Sequence, residues 1–95
     1  MLFNYELSQV NVVIAALFQD STANALAAAV SWTGAATVEG QIFLDYTMVS
    51  GTTTTTTFKV RAGGASGTVT FNGISGGREF GGAYNSSIVI TEIAP

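Results

Sequence analysis

Nearly all the chemistry open to this chain rests on six carboxylates, Glu6, Asp20, Glu39, Asp45, Glu79 and Glu92, and three cations, Lys59, Arg61 and Arg78. Histidine and cysteine do not occur. Their lack excludes Ser-His-Asp and Cys-His nucleophile systems, imidazole-held metals, thiolate zinc sites and disulfides, and it leaves the redox compartment unreadable. Paired acids could still hydrolyse a glycosidic bond, and Glu39 and Asp45 fall on one face of the same alternating stretch. Strand rise sets those two side chains about 20 Å apart, whereas glycosidase carboxyls stand about 5–9.5 Å from each other. By themselves they read as solvated or salt-bridged carboxylates, and a closer partner would have to come from Glu6, Asp20, Glu79 or Glu92 across a strand. Lys59 and Arg61 alternate with apolar neighbours and suit a carboxylate on an adjacent strand or chain. Trp32, Arg78 and Tyr84 are large planar groups near turns, the side chains that sugar or protein adhesion uses, and are the candidate receptor contacts. Phe80, beneath a glycine turn, reads instead as a core plug. No catalytic residue, metal ligand or cofactor is expected.

Those side chains have little scaffold to spare. With 95 residues, one domain spanning 1–95 is expected, and its composition is 47% hydrophobic and only 9% charged. An ordinary globular chain is about 25% charged, so the polar coat here is thin and made of Thr, Ser, Asn and Gln. Such a surface, at net charge -3, favours an oligomer that hides apolar area. Three basic residues make no phosphate-binding stripe, which argues against nucleic acid. The start, Met1-Leu2-Phe3-Asn4-Tyr5-Glu6, lacks a basic leader followed by an apolar core, and the uncharged window from Ser21 to Val38 is too rich in Ser, Thr and Asn to span a bilayer. The sequence therefore reads as soluble, without membrane insertion.

Period-2 alternation supplies the elements. Phe3, Tyr5 and Leu7 alternate with polar residues as a half-buried strand, and the phase slips across Ser8 to Asn11 into a second strand, Val12 to Phe18, apolar on both faces. Gln19 to Ala29 has helix propensity, but it is short and has no large apolar residue at helical spacing, so a turn at Asp20-Ser21-Thr22 followed by a strand through Trp32 is expected. Thr37 to Met48 reads as one long strand. Phe58 to Ala62 and Val69 to Phe71, with Gly63 to Ser66 between them, read as a hairpin pairing Val60 with Val69. A further hairpin between 37–49 and 54–62 leaves its register open: one choice sets Gln41 opposite Arg61, another Asp45 opposite Lys59. The threonines of 52–57 feed the Phe58 strand, and Asn85-Ser86-Ser87 is a turn rather than a used glycosylation sequon. Ser87 to Ile93 closes the chain as a β-branched strand that Pro95 ends. The total is about seven strands in an all-β antiparallel sandwich, with oligomerisation as one way of completing it.

The run Ala16-Leu17-Phe18-Gln19-Asp20-Ser21-Thr22-Ala23-Asn24-Ala25-Leu26-Ala27 resembles the carboxy-terminal, receptor-binding tip domains of tailed-bacteriophage tail fibres. Four later runs resemble the same family in the same order: Gly51-Thr52-Thr53 leading to Thr57-Phe58-Lys59-Val60-Arg61-Ala62-Gly63, then Thr70-Phe71-Asn72-Gly73, Phe80-Gly81-Gly82, and Ser87-Ile88-Val89-Ile90-Thr91-Glu92-Ile93. These are scaffold motifs, which speak to fold more than to activity. The resemblance implies a jelly-roll-like sandwich in a homotrimer at a fibre end, made in the bacterial host cytoplasm and carried on the virion, adhering to a host-surface glycan or protein. A purely structural assembly or capping module is the alternative, and a fibre-borne polysaccharide depolymerase is the third reading. Val13, Leu17, Ile42 and Leu44 are the expected contributors to a shared oligomer core. Members of the family carry further strands ahead of the segment that begins here at Met1. The chain therefore resembles the carboxy-terminal part of such a sandwich or a short stand-alone relative, with an open edge or apolar face.

Overall fold

The computed structural model describes residues 1–93. Eight strands follow one another, with no helix among the described residues: β1 (Leu2–Leu7), β2 (Val12–Gln19), β3 (Ala27–Trp32), β4 (Val38–Phe43), β5 (Phe58–Gly64), β6 (Val69–Phe71), β7 (Gly73–Ile74) and β8 (Gly77–Arg78). They form two three-stranded antiparallel sheets, β4-β1-β6 and β3-β2-β5, and a two-residue ribbon of β7 and β8. The architecture is a small β-sandwich.

The odd-numbered residues of β1 and β2 make most of its core. Phe3, Tyr5 and Leu7 of β1 meet Val13 and Ala15 of β2, with Ile42 of β4 beside them, all buried. The segment Ser8 to Asn11 is where the chain leaves one sheet for the other, but the change of phase is not kept: the odd residues of both strands face the interior, and the even set of β2 that the sequence singles out, Val12, Ile14, Ala16 and Phe18, lies on its other face. Buried Thr33 pins this crossing: its hydroxyl, with one proton to give, lies within donating distance of the carbonyls of Gln9 (3.0 Å) and Asn11 (2.9 Å) and accepts from Asn11 N–H (3.1 Å). Tyr5 spans the two layers, its hydroxyl donating to Ser31 Oγ on β3 at 2.6 Å. Gly40 makes room for that ring, because a Cβ there would lie 2.5 Å from Tyr5 Oη. The turn expected at Asp20 is present, with Asp20 at φ +49°, and it is followed by strand β3 rather than a helix.

The pairings differ from those the alternation suggests. β5 and β6 form no hairpin: Val60 lies opposite Leu17 of β2, and Val69 opposite Leu7 of β1. Both valines face the core from opposite sheets, an arrangement with the same parity as a hairpin. β4 likewise pairs with β1, setting Ile42 opposite Phe3, and not with β5. Arg61 and Lys59 therefore face Ala16 and Phe18 rather than Gln41 or Asp45, and Arg61 lies over the Phe18 ring at 5.0 Å. β4 stops at Phe43, so Asp45 lies beyond it, and the threonines of 52–57 precede β5 without joining it. Asp20 Oδ1 accepts from Thr57 N–H at 2.8 Å and anchors the end of that segment. Of the closing strand only Ser87 pairs, in a bridge with Leu2; Pro95 lies outside the described residues. β2 is buried on its odd face alone, with Ile14 exposed. β1, in contrast, is buried on both faces, including Asn4 and Glu6.

Candidate binding surfaces

The first surface is the outer face of β3-β2-β5. Register places Val12 beside Trp32, Ile14 beside Val30 and Ala16 beside Ala28 on one flank, and Arg61 and Lys59 beside Ala16 and Phe18 on the other. Trp32 and Val30 are about two-thirds exposed (65% and 64%) and Ile14 is 41% exposed. The result is an open apolar and aromatic strip bordered by two cations. Such a strip can stack on a sugar ring or pack against protein, and its guanidinium and ammonium groups can receive polar oxygens.

The second surface covers the outside of β4-β1-β6, where the segment from Asn72 to Ser87 folds over the even residues of β1. Asn4 N–H donates to Ser86 Oγ (2.9 Å), Asn4 Nδ2 donates to the Asn85 carbonyl (2.5 Å), and Ser86 Oγ donates to Asn72 Oδ1 (2.8 Å). Asn72 N–H returns to the Asn4 carbonyl at 3.1 Å. Asn72 sits at φ +55°, a conformation that asparagine tolerates better than most residues. Glu6 lies opposite Glu39 in the β1–β4 register, and its Oε2 accepts from Ser75 N–H at 3.4 Å. Asn4 Oδ1, Glu6 Oε1 and Glu79 Oε1 are shielded from solvent without a partner.

At the rim of this surface the Glu79 carboxyl lies close to that of Glu39. Burial first, and then the Glu39 hydrogen bond and charge, raise the Glu79 pKa above its usual value. Burial, followed by the charges of Glu39 and Glu79, raises that of Tyr84. The sequence placed Glu79 among the possible partners of Glu39, and the fold brings these two together. Among the described residues no three acidic side chains are grouped to hold a metal ion.

The three candidate receptor contacts separate. Trp32 stands on the outer face of β3-β2-β5, while Arg78 and Tyr84 belong to the segment over the other sheet. Arg78 is committed within its own loop, with Nε on the Gly81 carbonyl (2.5 Å) and Nη2 on Asn85 Oδ1 (2.6 Å). Tyr84 is half-buried and meets Phe80 edge to face at 6.1 Å. Phe80 is no core plug: it is 73% exposed at φ +56°. Of the four positions expected in a shared oligomer core, Val13, Ile42 and Leu44 are buried within the single chain, and Leu17 is partly covered on the same inward face as Val13. Sequence reasoning missed the outward strip of Ile14 and Val30, because a strand apolar on both faces was read as buried on both. It also missed buried Asn4 and Glu6, whose polarity reads as solvent exposure. No helix among the described residues is long and apolar enough to cross a membrane. Compared with protein-family models, curated proteins and solved structures, the chain gives no match.

Proposed function

We propose that this chain is a non-enzymatic structural and adhesion module of the phage tail-fibre-tip type, working as a homo-oligomer on the virion and holding a host-surface glycan or protein. One observation carries the reading: the outer face of β3-β2-β5 presents Trp32, Val30 and Ile14 to solvent beside Lys59 and Arg61. A monomeric sandwich with a thin polar coat gains nothing from such a strip, whereas an adhesin uses it to bind. Trp32 leads among the candidate contacts because Arg78 is spent on its own loop. The threefold order and jelly-roll-like wiring rest on the resemblance to fibre tips alone.

The same strip would serve equally as a subunit contact in a purely structural capping module, and one variant separates the two. Trp32→Ala is expected to lower binding to bacterial envelope glycans or outer-membrane proteins by about 10–30-fold, the weight of a central aromatic contact, with the assembled mass unchanged. A fall in mass on gel filtration with light scattering would assign the strip to assembly instead. Turnover of capsular polysaccharide by the wild-type chain would replace adhesion with depolymerase activity.

A further inference from the structure

The outer face of β3-β2-β5 carries a charge opposite to that of the whole chain. Although the net charge is -3, the only charged residues on these three strands are Lys59 and Arg61. Register puts both on the face that Trp32 shares, with Arg61 opposite Ala16 and Lys59 opposite Phe18. Glu6 and Glu39 belong to the other sheet, and Asp20, in the turn after β2, is engaged with Thr57 N–H. Arg61 is exposed and lies over the Phe18 ring, 5.0 Å from its centroid. A guanidinium seated on a ring still presents N–H donors along its edge, in a fork that matches the two oxygens of a carboxylate. Trp32 stands two strands across and four residues along from Arg61, roughly 16 Å away. The line between them passes over Ile14, with exposed Ala28 on one flank and exposed Gly63 on the other. A Cβ added at Gly63 would meet no atom within 4 Å, so the sheet is low and open along this path.

We propose that this path holds an acidic glycan, a polysaccharide chain bearing hexuronate sugars, with one ring stacked on Trp32 and the carboxylate of another on Arg61. The inference rests on the adhesion reading and narrows it, from any host-surface glycan or protein to an anionic glycan. A uronate chain brings both things the face can take: the apolar side of a pyranose ring for the indole, and a planar two-oxygen anion for the guanidinium. The separation of Trp32 from Arg61 exceeds the width of one sugar, so the stacked ring and the bound carboxylate belong to different units of the same chain. Lys59, two residues from Arg61 on the same strand face, adds a second positive charge for the next uronate along. Charge complementarity is the argument for the occupant: an acidic polymer is repelled by the rest of an acidic protein and drawn to the one face that carries cations without carboxylates on its strands.

The test is binding of the full chain to immobilised oligosaccharides of hyaluronan, alginate and polygalacturonate, each beside its carboxyl methyl ester, with dextran sulfate as a polyanion that has no uronate. Binding to at least one of the three is expected, weakening as salt is raised. Methyl esterification, or Arg61→Gln in the protein, should lower that affinity by about 10–100-fold, the weight of a charge-assisted hydrogen-bonded pair. Arg61→Lys should recover only part of it, because an ammonium keeps the charge and lacks the fork. Free glucuronate should fail to compete, since one sugar cannot reach both groups. No binding to any of the three, equal binding to the esters, or wild-type affinity in Arg61→Gln overturns the proposal. Dextran sulfate held as tightly as all three uronate chains overturns it too, because charge alone would then suffice. A neutral envelope glycan or a protein whose binding Trp32→Ala weakens and Arg61→Gln does not overturns this inference and leaves the adhesion reading standing.

Discussion

Gly40→Ala drives a methyl group into the end of the Tyr5 ring, 2.5 Å from Oη and 2.6 Å from Cζ. Tyr5 cannot retreat: it is 1% exposed, stacked 6.0 Å from Phe3, and held by its hydroxyl to Ser31 across the sandwich. Overpacking of this kind costs about 1–3 kcal/mol. If the ring tilts to escape, the Ser31 hydrogen bond is lost and a buried hydroxyl goes unpaired, at about 1–3 kcal/mol more. A total of about 2–6 kcal/mol is a large part of the roughly 5–15 kcal/mol that stabilises a domain. For a chain of this size it corresponds to a melting temperature lower by on the order of 10–30 °C. Urea unfolding should show the midpoint falling with the slope unchanged. Tyr5→Leu shortens the side chain and removes the hydroxyl, so adding Gly40→Ala to it should cost at least about 1 kcal/mol less than in wild type, a coupling that isolates this contact. Gly40→Ala within about 0.5 kcal/mol of wild type, or additive with Tyr5→Leu, would refute the reasoning.

The raised pKa of Glu79 means that the folded state binds its proton more tightly than the unfolded chain does. Its contribution is therefore greatest below the usual carboxylate value of 4.5 and is lost as pH rises through the folded value. Glu79→Gln should flatten that part of the stability curve in thermal melts taken across the acidic range, and a curve unchanged from wild type would remove Glu79 from it. Asp20→Ala loses the acceptor for Thr57 N–H and puts a Cβ-bearing residue without a polar side chain at φ +49°; about 1–2 kcal/mol of destabilisation is expected. Asp20→Asn should cost less than alanine, and equal losses for the two would count against the hydrogen bond.

The sequence marked faces well and partners poorly. Alternation in Phe3-Tyr5-Leu7, in Val12 to Phe18 and in Phe58 to Ala62 located three strands and the break between the first two, but in Val12 to Phe18 it favoured the even set, whereas the odd residues Val13 and Ala15 are the buried ones. Alternation says only that a residue faces the core, and Val60 and Val69 do so from opposite layers while keeping the parity of a hairpin. Ile88 to Ile93 has strand propensity, yet a strand is made by the hydrogen bonds of a neighbour, and in a single chain this segment has none beyond Ser87. On the polar side, nothing local in Asn4 or Glu6 tells that the segment from Asn72 to Ser87 will cover them. Glu39 and Glu79 could be named as possible partners, but only the fold over that sheet brings them together.

The central position of β1 also governs when this protein can finish folding. Its hydrogen-bond partners lie in residues 38–43, 69–71 and at Ser87, so β1 emerges from the ribosome well before the chain that satisfies it. At about 5–20 residues per second the interval is several seconds, during which Phe3, Tyr5 and Leu7 have no sheet to join. Pairing between segments so distant in sequence is also intrinsically slow, because the loop must close before any contact offsets its entropy. Production of this domain should therefore depend on whatever shields an apolar nascent strand during synthesis.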